Sequence, residues 1–212
     1  MSSISVVDVG AKLGSFSYRR SRRFAFLGVD VHSGMINWCN DHLAGGDRRM
    51  EFLHHDVHHP TYAPHGKRKR RSLARYGRDF TLINVHSIFT HLFEAEASYY
   101  LSQMATMVSA RGVIRSSWYL FDRSCFPMLA ANQHNLYVNA DDATQAVFYD
   151  WKRAGQLILA AGLKIVAVSW PERTGSQAFL FLARGPDFED LSSRLEPSAT
   201  VLGFHGDGRS PP

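Results

Sequence analysis

Apolar and polar positions along the chain alternate between two periods. Short apolar runs recur at residues 4–9 (ISVVDV), 24–31 (FAFLGVDV), 50–57 (MEFLHHDV), 80–85 (FTLINV) and 112–121 (GVIRSSWYLF). Runs of this kind read as buried strands. Between them lie segments whose apolar residues stand three and four apart, the period of a helix with one buried face. Leu13 and Phe16 share such a face after the first run. After the second run, Ser33 is placed to cap a helix reaching about residue 43, with Ile36, Cys39 and Leu43 on one side and Gly45 and Gly46 ending it. After the fourth, Phe93, Ala97, Tyr100, Leu101, Met104 and Val108 form the stripe of a helix over 91–108.

The third and fourth runs are joined by a Pro-, Gly- and basic-rich connection, residues 58–77, in which Leu73 and Tyr76 can anchor a returning helix. Residues 122–141 are polar and irregular. Asp142 and Gln145 then have the spacing of a capping box. This predicts a helix to about residue 161, with Val147, Trp151, Ala154, Ile158 and Ala161 on its face and Gly162 as its C-cap. The last two runs, 163–170 and 177–183, are separated only by a turn around PERTG, so they must be antiparallel neighbours.

The alternation predicts an α/β fold over residues 1–184: a Rossmann-like, doubly wound, seven-stranded and mostly parallel sheet with an antiparallel last strand and helices on both faces. Residues 185–212 are rich in Pro, Gly, Ser and charge and are expected to form a mostly disordered tail, with one weak helical turn near 188–195.

Composition narrows the class. The 212 residues are 45% apolar and 20% charged, ordinary for a globular protein with a sizeable core. No apolar run reaches membrane-spanning length, and MSSISVVDVG has neither the basic nor the apolar region of a secretory signal. The two cysteines, Cys39 and Cys125, give no disulfide framework, which points to the cytoplasm. The net charge of +5 is concentrated in Arg19, Arg20, Arg22 and Arg23 and in the run Lys67 to Arg71. Such clusters suit either solvent or a polyanion.

In an open α/β sheet, ligands bind beyond the carboxyl ends of the strands. Asp8, Gly10 and Gly14 follow or end the first run, Asp30 ends the second, and Asp56 stands near the end of the third. Glycines there let a ligand approach the backbone; a carboxylate 22 residues after Asp8 suits ribose hydroxyls, and one after the third strand suits an exocyclic adenine amine. These glycines also serve as ordinary turn residues, and the acids as ordinary caps. The dinucleotide pattern places glycines first, third and sixth, where Gly10, Lys12 and Ser15 stand, so one of three fits. A spacing of first, third and fifth finds Gly10, Lys12 and Gly14, so two of three fit.

The segments VVDVGAKLG, FLGVDVHSGMINWC, FLHHDVHHPTY and SIFTHLFEAEASYYL together resemble the class I S-adenosylmethionine-dependent methyltransferases, and within them a bacterial subgroup marked by an FTHL motif after the fourth strand. The resemblance covers about residues 4–184. It implies that S-adenosyl-L-methionine is the cofactor, with Asp8, Gly10 and Gly14 shaping the pocket for its methionine part. It further implies that Asp30 holds the ribose, that Val31 lies against the adenine, that Asp56 and Val57 border its amine, and that the segment from Asn84 to Ser87 closes the pocket near the methyl group. Lys12 stands where the family has glycine; either its ammonium pairs with the cofactor carboxylate or its bulk crowds the loop and weakens binding.

Methyl transfer to a hydroxyl calls for a base, and His86 and His91 lie in the segment after the fourth strand. The cluster His54, His55, Asp56, His58 and His59 matches no zinc spacing, and a strand turns His54 and His55 to opposite faces, so no metal is expected. The expected function is methylation, at oxygen, of a small-molecule or glycan-like acceptor, anionic if the Lys67 to Arg71 run reads it. Two other readings stand beside it: an RNA-binding or RNA-modifying methyltransferase, and a catalytically silent partner protein. The sequence does not set the oligomeric state.

Overall fold

The computed structural model describes residues 4–9, 24–45, 49–67, 70–77, 79–139, 141–192 and 201. Among these residues, nine strands and three α-helices follow one another: β1 (Ile4–Val9), β2 (Phe24–Asp30), α1 (Ser33–Cys39), β3 (Met50–His54), β4 (Phe80–Val85), α2 (Glu94–Met107), β5 (Val108–Phe121), β6 (Asn135–Tyr137), β7 (Val147–Asp150), α3 (Trp151–Ala160), β8 (Lys164–Ser169) and β9 (Ala178–Ala183). The result is a mixed α/β fold.

The strands are ordered β3-β2-β1-β4-β5, all parallel. The chain runs outward from β1 through β2 to β3 and resumes on the other side of β1 with β4. The switch point therefore lies between β1 and β4, where Asp8 sits in register with Asn84. On its far edge β5 has two partners: β9 runs antiparallel along residues 114–118, and β7 runs parallel along 119–121. β8 pairs antiparallel with β9, and β6 pairs antiparallel with β7. The seven expected strands thus become nine, and β6–β7 is an outgrowth from the end of β5.

Two clusters on opposite faces hold the helices. Ile36 and Cys39 of α1 pack with Phe52, and Phe26 lies beside them. Leu27 and Val29 point the other way, into the main core with Ile83, Val85, Leu101, Met104, Trp118 and Ile158. There the Phe89 ring stacks on Trp118 at 4.1 Å.

Several boundaries differ from the sequence expectation, each for a local reason. The cap of α1 is His32, not Ser33: its Nδ1 accepts from the Met35 N–H at 3.2 Å. Beyond Cys39 the helix widens into a π turn, Asn40–Ala44, which rotates Leu43 off the buried stripe and leaves it 43% exposed. The third strand stops at His54 rather than at residue 57. The expected helix over 91–108 begins as a 3-10 turn, Phe89–His91, and Val108 already belongs to β5, which starts without a loop. The expected helix from residue 142 is three elements. Asp142 caps a 3-10 turn, Ala143–Gln145; Val147–Asp150 is strand β7, buried at all four positions; and only Trp151–Ala160 is helical. Apolar residues on every side fit a buried strand as well as a helix. Gly162, with φ +76°, ends α3. Residues 185–192 lie against β8, where the Leu191 N–H donates to the Ile165 carbonyl, and Val201 is buried in the main core. The expected helix with Leu13 and Phe16 lies outside the described residues.

Candidate functional site

A cavity of about 440 Å³ opens at the carboxyl ends of β2, β3 and β4, within the size range of small-molecule sites. Its exposed surface is mostly apolar, with contributions from Val29, Val57, Ile88, Leu92 and Met104, and imidazole, carboxyl and hydroxyl groups are set among them.

Asp30, the last residue of β2, is in the wall. Its Oδ1 accepts the His32 N–H at 2.7 Å. Burial pushes its carboxyl above the usual range, and the His32 N–H opposes that shift. The group therefore gains from further hydrogen-bond donors facing it across the cavity. Val31 is beside it in the wall, and its carbonyl accepts from His54 Nε2 at 3.0 Å.

Two residues after β3 part company. Val57 is buried and lines the cavity. Asp56 is not in the wall; its Oδ1 accepts the backbone N–H of Lys67 at 3.1 Å, which ties the start of the basic run to this sheet edge. His54 and His55 diverge as strand alternation requires. His54 is exposed, whereas His55 is 4% exposed and bridges the hydroxyls of Tyr76 and Tyr100 at 3.2 and 3.1 Å. Burial, aided by the Arg71 charge, pushes the His55 imidazole down to about 4, so it is neutral at neutral pH. Burial also pushes the Tyr100 phenol up to about 12. Among the described residues, no group of three His, Cys, Asp or Glu side chains gathers as metal ligands.

The segment after β4 supplies the opposite wall. Asn84 is fully buried within β4, and its Oδ1 accepts from Arg115 Nη1 at 2.8 Å, so it serves the sheet rather than the cavity surface. His86, Ser87 and His91 line the cavity. Ser87 adopts φ +56°, a left-handed conformation unusual for a side chain with a Cβ. Its N–H donates to Ser117 Oγ at 2.7 Å and its hydroxyl pairs with the Gln177 amide, contacts that hold the turn. The FTHL residues divide between two jobs. Phe89 and Thr90 are fully buried, while His91 and Leu92 face the cavity. His91 Nδ1–H donates to the Thr144 carbonyl at 2.8 Å, which makes Nε2 the acceptor nitrogen of the ring.

Of the expected site residues, the structure brings Asp30, Val31, Val57, His86, Ser87 and His91 around one cavity. Asp8 lies near the end of β1, between Gly28 and Asn84 in register. Gly10, Lys12 and Gly14 lie outside the described residues. His55, Tyr100, His59, Tyr62 and Thr144 also line the cavity and were not among the expected site residues. Tyr100 had a signal: a tyrosine in a buried helical stripe needs a partner for its hydroxyl, and an inward histidine was available. Thr144 had none, because its segment read as helix.

No family model matches the chain. The fold matches that of solved structures, S-adenosylmethionine-dependent methyltransferases among them. One from Clostridium acetobutylicum aligns at TM-score 0.58 and 11% identity, over 85% of this chain and 84% of that one. The mitomycin 7-O-methyltransferase MmcR aligns at TM-score 0.56 and 11% identity over 86% of this chain, and the pyocyanin biosynthetic protein PhzM at 0.54 and 12% over 87%. This chain spans about half the length of the latter two, 49% and 51%. At these identities the likeness is one of fold.

Proposed function

We propose that this chain is a class I S-adenosylmethionine-dependent methyltransferase, of the bacterial subgroup with the FTHL motif, that methylates an oxygen of a small-molecule or glycan-like acceptor. The observation that carries this reading is that Asp30 and His91 stand in the wall of one cavity at the carboxyl ends of parallel strands. The residues fit the cofactor: Asp30 has the remaining acceptor capacity for ribose hydroxyls, and Val31 and Val57 offer apolar surface for a purine.

When bound, the cofactor supplies a methyl group on a sulfonium, open to in-line displacement. The protein's part is alignment, exclusion of water and removal of the acceptor proton. His91 Nε2 takes that proton, because the Thr144 carbonyl holds the hydrogen on Nδ1. His86, in the same wall, is the second candidate for contact with the acceptor. A mainly apolar cavity favours an acceptor with an apolar body. The described part of the basic run reaches the rim, where Arg70 pairs at 3.3 Å with Glu96, a wall residue; an anionic group on the acceptor or its carrier would compete with Glu96 for this guanidinium. MmcR, a methyltransferase of oxygen by its name, shares the fold.

The test is calorimetry with S-adenosylmethionine and its demethylated product. Wild-type protein should bind both. Asp30→Ala should bind at least roughly tenfold more weakly, since charge-assisted hydrogen bonds are worth about 1.5–3 kcal/mol each. Absence of binding by a folded wild-type chain, or equal affinity in the variant, overturns the assignment.

A further inference from the structure

The carboxylate expected to meet the adenine amine, Asp56, is engaged by Lys67 N–H and is absent from the cavity wall. Its neighbour His55 is in the wall, joined to Tyr100, also in the wall, and to Tyr76 behind it. The Tyr76 hydroxyl makes one further contact, donating its hydrogen to the His54 carbonyl at 3.4 Å.

These contacts fix where the hydrogens are. A neutral imidazole donates from one nitrogen and accepts at the other, and a phenol has one hydrogen to give. Burial keeps His55 neutral. A carbonyl can only accept, so the Tyr76 hydrogen goes to His54. His55 Nδ1–H then donates to Tyr76, and the Tyr100 hydroxyl donates to His55 Nε2. This arrangement satisfies all three contacts, whereas the reverse satisfies two and leaves the His54 carbonyl facing an oxygen without a hydrogen. With its hydrogen directed at His55, Tyr100 can offer a ligand only oxygen lone pairs.

We propose that Tyr100, oriented by the Tyr76–His55 pair, accepts a hydrogen bond from the exocyclic amine of the cofactor's adenine and so selects adenine over purines with an oxygen at that place. The inference rests on the S-adenosylmethionine reading above. It moves amine recognition one residue along the loop, from Asp56 to the group held by His55. It also explains why a tyrosine stands in an otherwise apolar helical stripe: phenylalanine would fill the same space but leave His55 Nε2 buried without a partner.

The experiment compares two ligands by calorimetry on the full chain: S-adenosylhomocysteine, and S-inosylhomocysteine, in which the amine is replaced by an oxygen. Wild-type protein should prefer the adenine compound by about tenfold, the scale of one neutral hydrogen bond gained against a mismatched acceptor. Tyr100→Phe should bind the adenine compound more weakly and bring the ratio close to one. Tyr76→Phe, which touches neither ligand, should also lower the ratio, because His55 is then able to turn its hydrogen toward Tyr100. A mere packing role for Tyr100 would weaken both ligands equally and leave the ratio intact. A ratio near one in the wild type, or an unchanged ratio in Tyr100→Phe, overturns the proposal. If Tyr100→Phe does not fold, the wild-type ratio and Tyr76→Phe decide it. Wild-type binding of neither compound refutes the cofactor reading as well, which separates that failure from this one.

Discussion

His55 is a buried, neutral base whose cost of charging is legible in stability. Its folded value, about 4, lies below the ordinary value of 6.5. As pH falls, the unfolded chain takes up the proton first, so the contribution is complete above about pH 6.5 and is lost as pH falls toward 4. The shift corresponds to roughly 3 kcal/mol at most. Urea unfolding at pH 7 and pH 4.5 should show the wild type losing more stability than His55→Gln, which cannot titrate. Equal losses would mean that the imidazole is not held in a dry site. The same residue shows what single positions disclose. Strand alternation was enough to turn one of His54 and His55 inward, but His55's two tyrosine partners are 21 and 45 positions away in the chain.

At the scale of elements, the junction of α2 and β5 carries a glycine with no room for a side chain. Phe80 is in register with Val108 and Leu82 with Val113, so residues 109–112 bulge where β5 begins. A Cβ on Gly112 would meet the Phe80 carbonyl oxygen at 2.5 Å, a backbone atom with nowhere to move. Gly112→Ala should therefore destabilise the protein by about 1–3 kcal/mol, the range for forced overpacking, measured as a lowered urea midpoint. An unchanged midpoint would show that the bulge relaxes freely. Periodicity located this strand but not its start, because SARG carries no strand pattern and is recruited by the register of β4. The misread segment 142–161 has the same origin. Val147–Asp150 pairs with β5 and β6, and those partners are invisible from within the segment.

At the scale of the whole molecule, the core takes in a residue well beyond the last strand, Val201. Val201 is 2% exposed and packs with the main cluster, although it lies in a segment of tail-like composition. Burying a valine side chain is worth about 1.5–3 kcal/mol. Val201→Asp should lower the unfolding free energy by roughly 2 kcal/mol or more. If Val201→Asp matches the wild type in a denaturant titration, residue 201 does not plug the core. Charge acts at this scale too. Arg70 is held by Glu96 and lies over the Tyr99 ring at 5.5 Å, so part of the basic run is anchored rather than simply solvated.

The sequence by itself determined the five parallel strands, the helices that follow the second and fourth of them, and the sheet ends where acidic residues and histidines gather. These are short-range consequences of hydrophobic period and of turn and cap chemistry, which act within a few residues. Only the tertiary structure decided that Asp56 turns to Lys67, that Asn84 serves Arg115 inside the sheet, that β5 is shared by β7 and β9, and that His55 and Tyr100 meet. Each of these is a choice of partner among groups far apart in the chain. Side-chain chemistry alone leaves several partners equally acceptable, and the selection is made by which strands lie side by side and which faces they bury.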